Sequence, residues 1–203
     1  MKGRLAKYGR EPEDLKVTPG LFDFLGSSQD EAEEKYQSFL SAVDLSGRHN
    51  MWGIDLSKHS LDDKLPDDLP EPENGRGRFR QAVALARREN LTIRELILRF
   101  SVVQGHRILV GTPKYVADQI EEWFVEKAAD GFNLKPSTVP DSLDDFIKLV
   151  VPQLQKRRIF RTEYSGRTLR ENLGLLRPAN PHTGRAKSGI VASPSSEPAQ
   201  AQL

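Results

Sequence analysis

The sequence predicts an α/β protein built on a short parallel sheet. Three observations carry this reading. Short apolar runs alternate with amphipathic segments of helical period along most of the chain, which argues for parallel strands joined by right-handed crossovers. The stretch "GTPKYVADQIEEWFVEKAADG" carries complete helix punctuation: Thr112 as N-cap, Pro113 at the first helical position and Gly131 just past the end. The stretch "AADGFNLKPSTVPDSLDDFIKLVVPQL" (128–154) then reads as a helix end, a strand, a loop and a new helix, which is half of a βα repeat.

Residues 1–9 resemble the last turns of a helix ending at Tyr8-Gly9, too short to hold alone. A chain that opens inside a helix leads us to expect further structure upstream of it. "DLKVTPGLF" places a strand near 15–21, bounded by Pro12 and Pro19-Gly20. Ser28 and Glu31 have capping-box spacing, and Ala32, Tyr36, Phe39, Leu40 and Val43 share one face of a helix near 28–42. Residues 44–78, with "DDKLPDDLPEPENGRGR", have little apolar content and no period. They are expected to be an irregular insertion ordered by packing on something else. Helices follow near 79–90, with Phe79, Val83 and Ala86 inward, and near 92–103, with Ile93, Leu96, Ile97 and Phe100 inward. "HRILVG" gives a strand near 106–110. The helix near 113–128 buries Val116, Ile120, Trp123 and Phe124. "FNL" centres a strand near 131–135. The last helix, near 143–157, turns Phe146, Ile147, Val150 and Leu154 inward, with Pro152 as an internal strain. Residues 1–160 are thus the folded part, 161–180 an extended arm, and the Ser-, Ala- and Pro-rich 181–203 a disordered tail.

Composition excludes several functions. Net charge is +1, so no polyanionic partner such as nucleic acid is indicated. There is no cysteine, which removes disulfides, zinc–thiolate sites and thiol nucleophiles. His49, His59, His106 and His182 show no metal-ligand spacing, and no apolar run is long enough to span a membrane. The first residues lack the apolar core of a secretory signal. A cytoplasmic location follows; the alternative is peroxisomal, from the faint address Ala201-Gln202-Leu203.

The region from "GTPKYVADQIEEW" through "FRTEYSGRTLRENLGLLRPAN" resembles the C-terminal end of the nitrilotriacetate monooxygenase and dibenzothiophene-sulfone monooxygenase group of bacterial-luciferase-like flavin-dependent monooxygenases. The likeness extends back through "GHRILVG", "LTIRELILRF" and "GREPEDLKVTPGL", leaving out only the tail. It implies a partial (β/α)8 TIM barrel, holding only the C-terminal strands and helices, since a whole barrel takes about 250 residues. It implies reduced FMN supplied by an NAD(P)H-dependent flavin reductase, dioxygen, a small organic substrate and a possible homo-oligomer. In such enzymes the flavin carries the hard chemistry, so no catalytic triad or carboxylate pair is required of the protein. The family's main flavin contacts come from N-terminal and middle strands that have no counterpart in this chain. The expected product is therefore a fragment or truncated copy, inactive alone. The alternative is a non-catalytic protein-binding module that keeps the half-barrel surface.

By the same resemblance Phe132, Asn133, Lys135 and Pro136, at the end of the last strand, form either one wall of the flavin or substrate pocket or ordinary strand-end packing with a polar turn. Thr112 reads as a plain N-cap more than an anion site, and His106 as a surface histidine before a strand. Lys156, Arg157, Arg158 and Arg161 complement a helix C-terminus. "NGRGRFR" reads as a turn followed by a helix start.

Overall fold

A computed structural model describes residues 2–45, 50–51, 54–101 and 105–178. The tail 181–203, the end of the arm, His49, His182 and parts of the insertion and of the 92–103 helix lie outside the described residues.

Three parallel strands form the central sheet: β1 (Gly20–Leu25), β4 (Arg107–Gly111) and β5 (Asn133–Leu134). Their order is β4-β1-β5. β1 pairs with β4 from Leu21↔Arg107 to Leu25↔Gly111, and with β5 at Gly20↔Asn133 and Leu21↔Leu134. A barrel sector in chain order would put β4 in the middle; here β1 is the middle strand.

That order decides where the helices lie. Successive residues of a strand point to opposite faces. On one face of β1, Phe24 packs its ring on Tyr36 and Phe39, with centroids 4.9 and 5.2 Å away. Both belong to α1 (Gln29–Ser41). On the other face Leu21 and Leu25 join Leu109, Val116, Ala117, Ile120, Val150 and Leu154 in one buried cluster. Val116, Ala117 and Ile120 belong to α4 (Pro113–Val125), and Leu154 to α6 (Val151–Lys156). Two crossovers of the same hand, running in opposite directions from β1 to β4 and from β4 to β5, must cover opposite faces.

The strand near 15–21 is displaced. Pro19-Gly20 opens β1 instead of closing it, and the strand continues through Asp23 to Leu25. Proline lacks an N–H and suits the first position of a strand. The preceding extended residues are held differently: Asp130 accepts from the Val17 N–H (2.7 Å) and the Lys2 ammonium (2.6 Å), while its own N–H donates to the Val17 carbonyl. Residues 2–9 form separate 3-10 turns at Lys2–Arg4 and Ala6–Tyr8, the latter closed by Gly9 at φ 64°. So short a segment does not offset the cost of nucleating a longer helix.

The described residues of 44–78 contain two short strands and a loop that packs on the helices after it. A two-stranded antiparallel pair, β2 (Asn50–Met51) and β3 (Ile54–Asp55), precedes a loop. Its Leu56, Leu61, Leu65 and Leu69 pack on Phe79, Ile93 and Ile97. Phe79 lies on α2 (Arg76–Glu89). Ile93 opens α3 (Ile93–Leu96), which runs on as a π-turn at Ile97–Ser101. A satellite core of this kind is usual under a long loop.

The last helix is composite: α5 (Asp141–Asp145), a π-turn at Phe146–Val150, then α6. The π-turn meets the strain of Pro152, whose missing N–H would leave a gap in an unbroken α ladder. It also shifts the phase of the side chains. Val150 and Leu154 are buried as the periodicity requires, but Ile147 is 51% exposed. Among the described residues after 160, one capped turn forms, α7 (Leu169–Asn172), whose Thr168 and Glu171 cap each other.

Leu21 is fully buried at the centre of the sheet cluster, whereas Leu176 is 85% exposed. Leu21→Ala should cost about 2–5 kcal/mol in urea denaturation, and Leu176→Ala less than about 0.5 kcal/mol.

Candidate functional site

In an open α/β sheet, ligands bind at the carboxyl ends of the strands where successive connections leave for opposite faces. Here that point lies between the ends of β1 and β4, and it is filled. The Gly26 N–H donates to the Gly111 carbonyl. A Cβ on Gly111 would stand 2.6 Å from the Tyr115 ring and 3.0 Å from Gln29 Oε1, so those side chains close the crevice. The helix N-termini beside it are self-capped. Ser28 Oγ accepts from the Glu31 N–H, and Glu31 Oε2 accepts from the Ser27 N–H and hydroxyl at 2.7 and 2.6 Å. The Ser27 hydroxyl and Lys35 hold the Glu31 carboxyl down to about 2. A fixed negative charge thus stands where an anion would approach α1. Thr112 is the N-cap the sequence indicates, its hydroxyl accepting from the Tyr115 N–H.

The open space lies at the opposite edge. A cleft of about 480 Å³ is lined by Thr18, Pro19, Gly20, Gly105, His106, Arg107, Trp123, Asn133 and Lys135. β5 is short and pairs with the start of β1, so Asn133 and Lys135 sit at the amino-terminal edge of the sheet. The Asn133 side-chain amide donates to the Thr18 carbonyl at 3.1 Å. His106 reaches the same cleft and stacks against Phe22 at 6.4 Å. Gly20 permits this, because a Cβ there would meet the His106 ring at 2.4 Å. Phe132 turns away and packs on Trp123 at 6.1 Å. Pro136 is half-buried outside the lining. Sequence reasoning thus names Asn133, Lys135 and His106, which the fold brings together, and Phe132 and Pro136, which stand apart from them.

The basic residues are structural. Arg157 bridges α6 to α4, donating to Asp118 and Glu121 at 2.7 Å each. Arg161 lies over Tyr164 and donates to its hydroxyl. In "NGRGRFR", Arg80 pairs with Glu71 and the segment opens α2.

Sequence reasoning passed over Asp23. Its side chain is fully buried in the middle of β1, and neither carboxylate oxygen has a hydrogen-bond partner. Burial raises its pKa to about 7; its own backbone N–H opposes this and the Asp145 carboxylate adds to it. The signal was present, as an acid at the centre of the apolar run "GLFDFL".

The family model described as luciferase-like monooxygenase matches residues 1–131. The chain belongs to this family. It is 48% identical over 190 residues to nitrilotriacetate monooxygenase component A of Aminobacter aminovorans, covering 89% of this chain and 41% of that protein. It is 40% identical over 186 residues to N-acetyl-S-(2-succino)cysteine monooxygenase of Bacillus subtilis, covering 89% and 42%. The solved EDTA monooxygenase of Chelativorans sp. BNC1 matches with a TM-score of 0.65 at 30% identity, over 86% of this chain and 39% of that one. A riboflavin lyase, solved with modified FMN and riboflavin, matches with a TM-score of 0.68 at 29% identity, over 92% and 42%. The chain therefore spans about two-fifths of the length of the relatives it matches.

Asp23 yields a pH test. Its folded-state pKa of about 7 lies above the unfolded value of 3.8, so the folded state holds the extra proton between these limits. Its contribution is fully present below about pH 4 and is lost as pH rises through about 7, on the order of 4 kcal/mol at most. His106, whose pKa is lowered by burial, Lys135 and Arg78, changes stability in the opposite sense. The difference between wild type and Asp23→Asn isolates the Asp23 term. Asp23→Asn should gain stability over wild type from pH 5 to pH 8 in urea titrations. A constant difference across that range would show that Asp23 ionises normally.

Proposed function

We propose that this chain is the carboxyl-terminal sector of a (β/α)8 barrel in a two-component monooxygenase. The complete enzyme would use dioxygen and reduced FMN from a separate NAD(P)H-dependent flavin reductase to oxidise a small organic substrate in the cytoplasm. The observation that carries this reading is the 48% identity to nitrilotriacetate monooxygenase component A, sustained over 89% of the chain. The parallel units β1–α1 and β4–α4, each leading into a helix with a side-chain N-cap, support it. Among the described residues, no helix is long and apolar enough to cross a membrane.

In the complete barrel we place β4 between β1 and β5, the chain order that such a barrel requires. β1 tolerates either neighbour, because Leu21, Phe24 and Leu25 are buried across its two faces. In the chain alone, the outer edges of β4 and β5, unpaired among the described residues, also suit a homo-oligomer, since such edges recruit other chains.

The residues present do not by themselves fit the flavin. Binding FMN takes an anchor for its phosphate and a wall for its ring. At the carboxyl edge the α1 N-terminus is occupied by Glu31, the crevice beside it by Tyr115 and Gln29, and Pro113 has no N–H to offer. We therefore propose that the chain alone does not hold FMN and is inactive alone.

Anaerobic titration of the purified chain with reduced FMN should show no saturable change in flavin fluorescence. Adding a polypeptide that carries the remaining strands of a relative's barrel should create one. Saturable binding by the chain alone at roughly micromolar concentration, with substrate-dependent oxygen uptake, would overturn the proposal.

A further inference from the structure

We propose that the cleft at the amino-terminal edge of the sheet binds a small molecule through an oxyanion, a carboxylate or phosphate group, held by Arg107 and Lys135 against Trp123. This site lies at the opposite end of the strands from the face where a barrel holds its active site, and the inference does not depend on the flavin reading.

The charges of the cleft carry the proposal. Arg107 and Lys135 both line it, and among the described residues neither has a salt bridge. By contrast Lys2 is matched by Asp130, and Arg157 by Asp118 and Glu121. Arg107 is half-buried. Its guanidinium lies 4.1 Å above the Trp123 ring, one amino group donates to Gln119 Oε1, and its Nε–H is buried with no partner. A stacked, half-satisfied guanidinium is a fork already oriented for an oxyanion. Burial lowers the Arg107 pKa, so its charge stands at a cost that a bound anion would relieve. The volume, about 480 Å³, exceeds that of a bare oxyanion and leaves room for a small apolar body along Trp123.

His106 supplies an independent readout. It faces Lys135 beyond β5 and Arg78 of α2, and adjoins Arg107 on its own strand. Asp130, the nearby carboxylate behind Val17, is already bound to Lys2. Burial, then Lys135 and Arg78, lower the His106 pKa. A bound anion offsets those cations, raises the His106 pKa and draws in a proton. Benzoate, whose charge is constant over this range, should accordingly bind more tightly at pH 6 than at pH 8.

The probes are inorganic phosphate and benzoate, titrated separately into the full chain. Chemical shifts of the Arg107 Nε–H and the Trp123 indole, with calorimetry in two buffers of different ionisation enthalpy, follow binding and proton uptake. We expect saturable binding of at least one probe, confined to the cleft. Phosphate alone would assign a phosphate ester, benzoate alone a carboxylic acid, and both a general oxyanion site. Arg107→Met and Lys135→Met should each weaken binding about tenfold or more, Arg107→Lys less, and Arg161→Met not at all. Absence of saturable shifts in the wild-type chain with both probes overturns the proposal, whatever the folding of the variants. So does undiminished binding by folded Arg107→Met and Lys135→Met.

Discussion

Everything in the folded part depends on β1. It is the strand hydrogen-bonded on both edges, and its two faces are covered by different helices. Strands buried in this way read as continuous apolar runs rather than alternating ones. "GLFDFL" is such a run, broken by one acid. The same strand fixes both ends of the sheet. Its carboxyl end delivers Ser27 and Ser28 to cap α1, and its amino end carries Thr18, Pro19 and Gly20 into the cleft. The Asp130–Val17 contacts set where β1 begins, and so set where β5 can pair with it.

Asp23 is the cost within this arrangement. A buried carboxyl without a partner is destabilising by several kcal/mol when ionised, and proteins avoid the penalty by keeping the group protonated. Its place in the one doubly paired strand means the penalty falls on the element that can least be spared. Asp145 on α5, itself half-buried, adds like charge from the helix packed over that face. The sheet and the last helix are held together by the apolar contacts of Val150 and Leu154.

Much of the helical architecture was legible because helix ends are written locally. Ser28, Thr92 and Thr112 cap where their spacing indicates, and Pro113 stands at the first position of α4. The strands were less legible. Pro19-Gly20 looks like a terminator, but a proline that gives up no ladder hydrogen bond can equally begin a strand. Ile147 was misplaced because a π-turn adds a residue to the repeat, and nothing short of the Pro152 contact announces it. Strand order was not legible at all. It is a matter of which edge is free, and no local pattern records that. For the same reason the sequence, which offers Asn133 and Lys135 as either a pocket wall or strand-end packing, does not indicate that they line a cleft at the amino-terminal edge.

The two edges of the sheet differ in a way that bears on what the chain can do. At the carboxyl edge three polar groups are met by neighbours: Glu31 by Ser27 and Lys35, Gln29 by the Val110 carbonyl, Thr112 by the Tyr115 N–H. Such groups have no surplus to offer a ligand, and a ligand would have to displace them. At the amino edge, beside an aromatic wall, neither Arg107 nor Lys135 has a salt bridge among the described residues, and Glu122 acts on Arg107 only at a distance, through Gln119. Binding free energy comes from groups that gain partners on association, since those already paired gain nothing net. Within this chain, then, ligand affinity resides at the edge where the strands begin, while the edge where they end is built for holding α1 and α4 in place.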